Sequence, residues 1–275
     1  MLNAGTMLNK FSHASLPYFD LPNVSVLGIL GADAISFANS QFMNDVTLLR
    51  DGEWQWNGWL NTKGRVLCLF ALVRISEQEL LVVLPDYPAA ELGKALSQLV
   101  FRAKVQLGVW TELYASGAIA PFQFTAPNAI AGDFAERDIA LDMGSEEFPR
   151  VMRLSLSKAG SDASLESTWR ADDLRFGLPR MDPSATHAWT PQQLSLQNLR
   201  AFSVKKGCYP GQEIVARTHF LGKSKRDLIL LRDAQPLEDA VSSAQVDGQT
   251  WQLAVVAMDA ELPPEAVGFR AGLAR

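Results

Sequence analysis

The residues best placed to do chemistry lie in one stretch, Lys205-Lys206-Gly207-Cys208-Tyr209-Pro210-Gly211-Gln212-Glu213. A thiolate is a nucleophile and a metal ligand, and neighbouring lysines or a following helix N-terminus favour it over the thiol. Cys208 follows two lysines, and a helix over 213–220 would add the second kind of neighbour, so it is a candidate reactive thiol. The alternative is a small buried hydrophobe. Pro210-Gly211 at the centre of 209–212 predicts a type II turn, because proline presets one φ and glycine supplies the positive one. Beyond it, 213–220 is either a short helix stopped at Gly222 or a strand carried by Ile214 and Val215. In a helix, Glu213 and Arg217 form an i,i+4 pair. The other cysteine, Cys68, sits in the uncharged run 66–73 and is expected in the core. His13, His187 and His219 show no metal-ligand spacing. Two cysteines with no C-x-x-C cannot supply the four thiolates of an iron–sulfur cluster, so no metal site is expected.

The charge distribution singles out the same region. The formal net charge is −5, yet 198–226 holds seven basic residues and one acidic, Glu213. That points to a local site for a small anion, or else a solvated charged face. It argues against an extended grip on a nucleic-acid backbone, which needs a broad basic surface. With 48% apolar and 20% charged residues, the composition is that of an ordinary globular protein. A length of 275 residues suggests about two domains. The longest apolar run, 66–73, falls far short of the roughly 20 residues needed to cross a bilayer. The apolar stretch 24–32 follows Asp20 and Pro22 rather than a basic cluster, unlike a secretory signal. A cytoplasmic protein with two reduced thiols is expected.

The elements that must position Cys208 are legible in outline. Strands are expected at 24–29, 55–60, 65–75, 79–84 and 104–109, and helices at 34–44, capped by Asp33, and 89–101. Together 52–110 form an α+β unit. Strands follow at 113–119 and 151–157, around a loop at 144–149. The stretch 158–167 is expected to be a flexible loop, 169–178 mixed, and 181–191 irregular. A small all-β module closes the chain, with a strand at 226–232 and two more within 245–259 around the turn Asp247-Gly248.

The stretch Lys206 to Glu213, continuing to Ala216-Arg217, resembles the K-G-C-Y-x-G-Q-E signature of the YgfZ family, folate-binding proteins related to the glycine cleavage T-protein, an aminomethyltransferase. Further stretches agree in order: Gly31-Ala32-Asp33 with 41–46, then Gly58-Trp59-Leu60-Asn61-Thr62-Lys63-Gly64-Arg65, then Trp169 through Gly177-Leu178-Pro179 and Pro191-Gln192. The resemblance runs from about 24 to 232. It implies an α+β, multi-domain, T-protein-like fold around a central opening. Residues 1–50 plus 113–217 would be a discontinuous folate-binding domain, 51–112 an inserted ferredoxin-like α+β unit, and 218–275 a small, reduced C-terminal β-barrel. It further implies a tetrahydrofolate site that uses Trp169, Lys205, Lys206, Tyr209, Gln212, Glu213 and Arg217, with Cys208 as the functional thiol. An indole face can stack on a pterin; the alternative for Trp169 is a core tryptophan. The implied role is an accessory one, supporting maintenance or assembly of iron–sulfur client proteins, tRNA-modifying enzymes among them. Two rivals stand beside it: a folate-dependent aminomethyl transferase or demethylase, and a non-catalytic client-binding scaffold. The transferase's aspartate pair falls on Cys68 and Leu69, neither of which can act as a carboxylate base. A tryptophan that family members offer to folate is Val24 here.

Overall fold

The computed structural model describes residues 12–181, 188–222, 224–232, 240–262, 264 and 266–269. His187 and Lys223, and most of the stretch 181–191, lie outside them. In chain order the elements are β1 (Phe19–Asp20), β2 (Val24–Leu30), α1 (Ala34–Gln41), β3 (Glu53–Leu60), β4 (Val66–Ser76), β5 (Glu79–Pro85), α2 (Ala89–Ser97) and β6 (Gln106–Val109). Then come β7 (Tyr114–Ala118), β8 (Ile130–Asp133), β9 (Asp138–Asp142), β10 (Val151–Ser155), α3 (Ala163–Arg175), α4 (Gln212–Phe220), β11 (Arg226–Arg232), β12 (Ser242–Val246), β13 (Gln249–Ala257) and β14 (Val267–Gly268). They build three antiparallel sheets, in the orders β3-β4-β5-β2-β6, β1-β7-β10-β9-β8 and β12-β13-β11-β14.

The first sheet explains the apolar run at 66–73. Successive side chains of a strand point to opposite faces, and β4 is buried on both. Leu69, Ala71 and Val73 join one core with Trp54, Trp56, Leu81 and Val83. Cys68, Phe70 and Leu72 join another with Leu27, Ile29, Leu80 and Val82, covered by Phe37 and Ala38 of α1 and Leu92 and Leu96 of α2. A central strand with two cores has no solvent face for a polar residue.

The sheets divide the chain differently from the expected boundary at residue 50. β2 pairs with β5 and β6, so 24–30 belongs to the same sheet as the strands of 51–112. β1, by contrast, pairs with β7, tying 19–20 to the 114–155 sheet. The stretch 163–175, expected as loop and mixed structure, is a helix. Asp162 caps it, its carboxylate accepting the N–H groups of Ser164 and Leu165. The turn at Asp247-Gly248 has both residues at positive φ, 50° and 77°, and joins β12 to β13. Among the described residues, the C-terminal strands form one four-stranded antiparallel sheet.

Candidate functional site

The signature folds into a rigid platform. Gly211 has φ 78° and ψ 0°, and the Gln212 N–H donates to the Tyr209 carbonyl at 3.1 Å. That is the expected type II turn. Gly211 then serves as N-cap of α4, which takes the helical alternative for 213–220. The turn lies backbone to backbone on the β3–β4 turn: a Cβ on Gly211 would fall 2.5 Å from the Asn61 oxygen and 2.6 Å from the Gly64 Cα. Both positions therefore require glycine. Asn61 shapes its own turn, its side-chain oxygen accepting from the N–H groups of Lys63 and Arg65.

Lys206 is buried, and its ammonium donates to three main-chain carbonyls at and beyond the end of α1: Asn39 at 2.5 Å, Phe42 at 2.6 Å and Asn44 at 3.0 Å. These include carbonyls that a helix end leaves unpaired. Burial pushes the Lys206 pKa down to about 8. Its Nζ also lies 4.9 Å from the Tyr209 ring centre. The Tyr209 hydroxyl donates to the Ser203 carbonyl, and burial pushes its pKa up to about 12. Gln212 donates to the Lys206 carbonyl at 3.1 Å. The three stretches at 41–46, 58–65 and 206–213 are thus one interlocked unit. Ser203 N–H to the Met43 carbonyl and Asn44 to the carbonyls of Trp56 and Arg200 complete it.

Within this unit, Lys206, Tyr209 and Gln212 donate to the protein's own carbonyls. Lys205 and Cys208 are exposed. Glu213 and Arg217 form the i,i+4 pair, at 3.8 Å with both side chains exposed, a geometry of little energetic weight. His219 is exposed and stands edge-on to Phe220.

Trp169 lies elsewhere. It is 1% exposed on α3, with its indole over Gly117, where a Cβ would come within 2.8 Å of the ring. The Arg150 guanidinium sits 4.6 Å from its ring centre, and the Phe19 ring packs edge-on at 6.1 Å. Its side chain is packed in the core. Beside it is a void of about 10 Å³, lined by Trp56, Ala71, Val83, Trp169, Asp173 and Arg180 among others. That is room for about one water. Trp56 is buried, and its Nε1–H has no hydrogen-bond partner. Along β4, Ala71 is five residues from Val66 at the turn end, so the void and the signature platform are separated by ~17 Å of strand.

Asp173 anchors a chain of ion pairs that the sequence reading missed. Arg150 and Arg180 each approach it at 2.8 Å. Arg180 also forks onto both oxygens of Asp86, at 2.7 and 2.8 Å, and Arg170 reaches Asp86 at 3.3 and 3.4 Å. Burial works to raise the Asp86 carboxyl, but hydrogen bonds and charge from Arg180 and Arg170 hold it below its ordinary value. Asp86 itself has φ 60°, a conformation that non-glycine residues adopt mainly where the surroundings enforce it. The available signal was Trp169 and Asp173 at i,i+4 on one helical face, invisible without a helix at 163–175.

The transferase's carboxylate positions can now be placed. Cys68 is 0% exposed and turned toward α1 and α2, and burial pushes its thiol pKa well above the usual range. Leu69 faces the other core, which also holds Trp56 and Trp169. The carboxylate lining the void is Asp173, held by two arginines. Among the described residues, no group of three or more His, Cys, Asp and Glu side chains could hold a metal ion, and no helix is long and apolar enough to cross a membrane.

This is a T-protein-like α+β fold. It matches the crystal structure of the glycine cleavage system aminomethyltransferase T from Bartonella henselae with a TM-score of 0.66, covering 91% of this chain and 81% of that one at 14% identity. At the level of sequence, the relatives are proteins named "tRNA-modifying protein YgfZ". The chain is 26% identical to that of Aliivibrio fischeri strain MJ11, covering 89% of this chain and 81% of the relative, and 28% identical to that of Colwellia psychrerythraea strain 34H, covering 88% and 81%. The resemblance to the YgfZ family read from the signature is thus borne out along nearly the whole chain. No family model matches it.

Proposed function

We propose that the protein binds a reduced folate at the void beside Trp169 and serves as an accessory factor for iron–sulfur proteins, tRNA-modifying enzymes among them, with Cys208 as its working thiol. The observation that carries the folate reading is the lining of the void. Trp56 and Trp169 line it with aromatic side chains and Asp173 with a carboxylate, and the buried Trp56 N–H has no acceptor among the described residues. A pterin is a flat ring with donors and acceptors along its edge, and suits that set. An orphaned buried donor is costly, so a ligand acceptor there would be favoured. A void of about 10 Å³ does not hold a pterin as it stands; entry requires side chains around Trp169 and Arg180 to move.

The accessory role draws on the relatives' name and on the platform. Cys208 stands exposed on a turn fixed by Gly211, Gly64 and Lys206, where a client protein can reach it. With two cysteines in the chain, one of them buried, Cys208 supplies at most one ligand to a shared cluster. Two free thiols suit a reducing, cytoplasm-like compartment. A transferase or demethylase is disfavoured, because Cys68 and Leu69 hold the carboxylate positions and Asp173 has both oxygens engaged by arginines.

The test is a calorimetric titration with tetrahydrofolate. The protein should bind it, and Trp169→Ala should weaken binding by about 1 kcal/mol or more through lost stacking and buried area. No heat at millimolar ligand refutes the folate reading. Aminomethyl transfer to tetrahydrofolate above a no-enzyme control would establish the transferase instead.

A further inference from the structure

The outer stripe of α4 ends in two large apolar side chains that stand in solvent. Glu213, Arg217, Phe220 and Leu221 follow one another at i, i+4, i+7 and i+8, the spacing of one helical face, and all four are exposed. Val215, on the opposite side of the helix, is buried in the core. Phe220 is 66% exposed and Leu221 84%. The solvent face of a surface helix is ordinarily polar, and adjoining exposed apolar groups of this size mark contact surfaces. We propose that this end of α4 is the docking surface for the protein client, and that the client segment seated on it is apolar at its centre and acidic at its rim. This rests on the accessory role given above.

Three observations carry it. First, the charge around the apolar pair is mostly positive. Lys205, Arg217, Lys225 and Arg226 are exposed in the same segment, and Lys63 is exposed on the β3–β4 turn that packs against Gly211 and Ile214. Glu213 is the acidic residue of the stripe, and Arg217 pairs with it. Asp259 bounds the basic region: it follows Met258, whose N–H donates to the Lys225 carbonyl. The rest of the chain is acidic on balance, since 198–226 holds seven basic residues and one acidic while the whole carries −5. An acidic partner is therefore repelled from most of the molecule and drawn to this face, which fixes its orientation. Second, α4 starts at the turn that carries Cys208. Its nine residues span ~13 Å. An ordinary interface takes ~800 Å² of each partner, a patch roughly 30 Å across. A client seated on Phe220 and Leu221 thus reaches the exposed thiol as well. Third, the stripe suits a protein better than an RNA. Leu221 has no aromatic face on which a base could stack, Glu213 repels phosphate, and a nucleic-acid grip needs a broader basic surface.

The experiment titrates a purified iron–sulfur tRNA-modifying enzyme from the same cell, its cluster intact, into the whole protein by calorimetry at about 50 and about 300 mM salt. The unaltered protein should bind it, more weakly at the higher salt. Phe220→Ala combined with Leu221→Ala should raise Kd at least about tenfold, the weight of a central apolar anchor, with melting temperature and tetrahydrofolate affinity unchanged. Lys225→Glu should raise Kd at the lower salt and raise it less at the higher. Phe101→Ala, at a side chain 87% exposed beside the start of α1, should change nothing. Client affinity untouched by the α4 variants, or lowered equally by Phe101→Ala, overturns the docking surface and leaves the accessory role standing. Two other results give the surface to a different occupant and overturn the proposal: a dimer in sedimentation that the paired alanine variant dissociates, or a gel shift of tRNA that this variant abolishes with client binding unchanged. Failure of the unaltered protein either to bind the enzyme or to support it in cells removes the accessory role, and the docking surface with it.

Discussion

Cys208 and Cys68 should differ in alkylation rate by several orders of magnitude in the folded protein. Cys208 is exposed on the signature turn, so a reagent meets it without any opening of the structure. Cys68 is 0% exposed, in a strand paired on both sides, with α1 and α2 over its side chain. Burial raises its pKa as well, so the reactive thiolate is scarce even where solvent reaches it. Reaching it means separating the central sheet, an opening close to global unfolding, for which ~5 kcal/mol is a low figure. At about 1.4 kcal/mol per factor of ten, that alone slows labelling by at least about 10³-fold. Iodoacetamide at neutral pH with peptide mass spectrometry over time reads both rates. The paired variants extend the test. Cys208→Ser should leave the melting temperature nearly unchanged. Cys68→Ser buries a hydroxyl in an apolar core and should cost about 1–3 kcal/mol, or several degrees for a chain of this length. Comparable labelling of the two thiols, or a neutral Cys68→Ser, refutes the packing argument. Full support of a client enzyme by Cys208→Ser in cells would refute the role given to the thiol.

Gly211→Ala should destabilise by more than about 3 kcal/mol, because its Cβ meets backbone at 2.5 and 2.6 Å on top of the strain at φ 78°. Gly248→Ala, at φ 77° with nothing within 4 Å, should cost only about 1 kcal/mol; equal costs in urea melts would show that contact with the β3–β4 turn contributes nothing. Asp138, bonded by both oxygens to Arg153 at 2.6 and 2.7 Å, has its pKa held low, chiefly by those hydrogen bonds. The unfolded chain therefore takes up the proton first as pH falls, so the pair's contribution is full above about pH 4 and is lost below it. The stability gap between the unaltered protein and Asp138→Asn should shrink as urea melts move below pH 4, and a widening gap would refute the assignment.

Much of the local structure was legible in the residues. The eight-residue apolar run at 66–73, read as strand with Cys68 in the core, is an interior strand with a core on each side. Pro210-Gly211 announced the type II turn, and Asp247-Gly248 the hairpin, because φ preferences act within two residues. The signature in order with its companion stretches was enough to point to the family and the T-protein-like fold. What sequence left open are partnerships across long separations. Whether a lysine beside a cysteine faces a ligand or seals a helix depends on where α1 ends, more than 160 positions earlier in the chain. How Trp169 is packed depends on Gly117 and Arg150, which meet it only after folding. The Asp86–Arg180–Asp173 chain joins residues about 90 positions apart, and β2 could be given its sheet only by its hydrogen bonds to β5 and β6. Conformational preference is a property of neighbours in sequence, whereas burial and ion pairing are properties of neighbours in space. Only the tertiary structure decides the second kind.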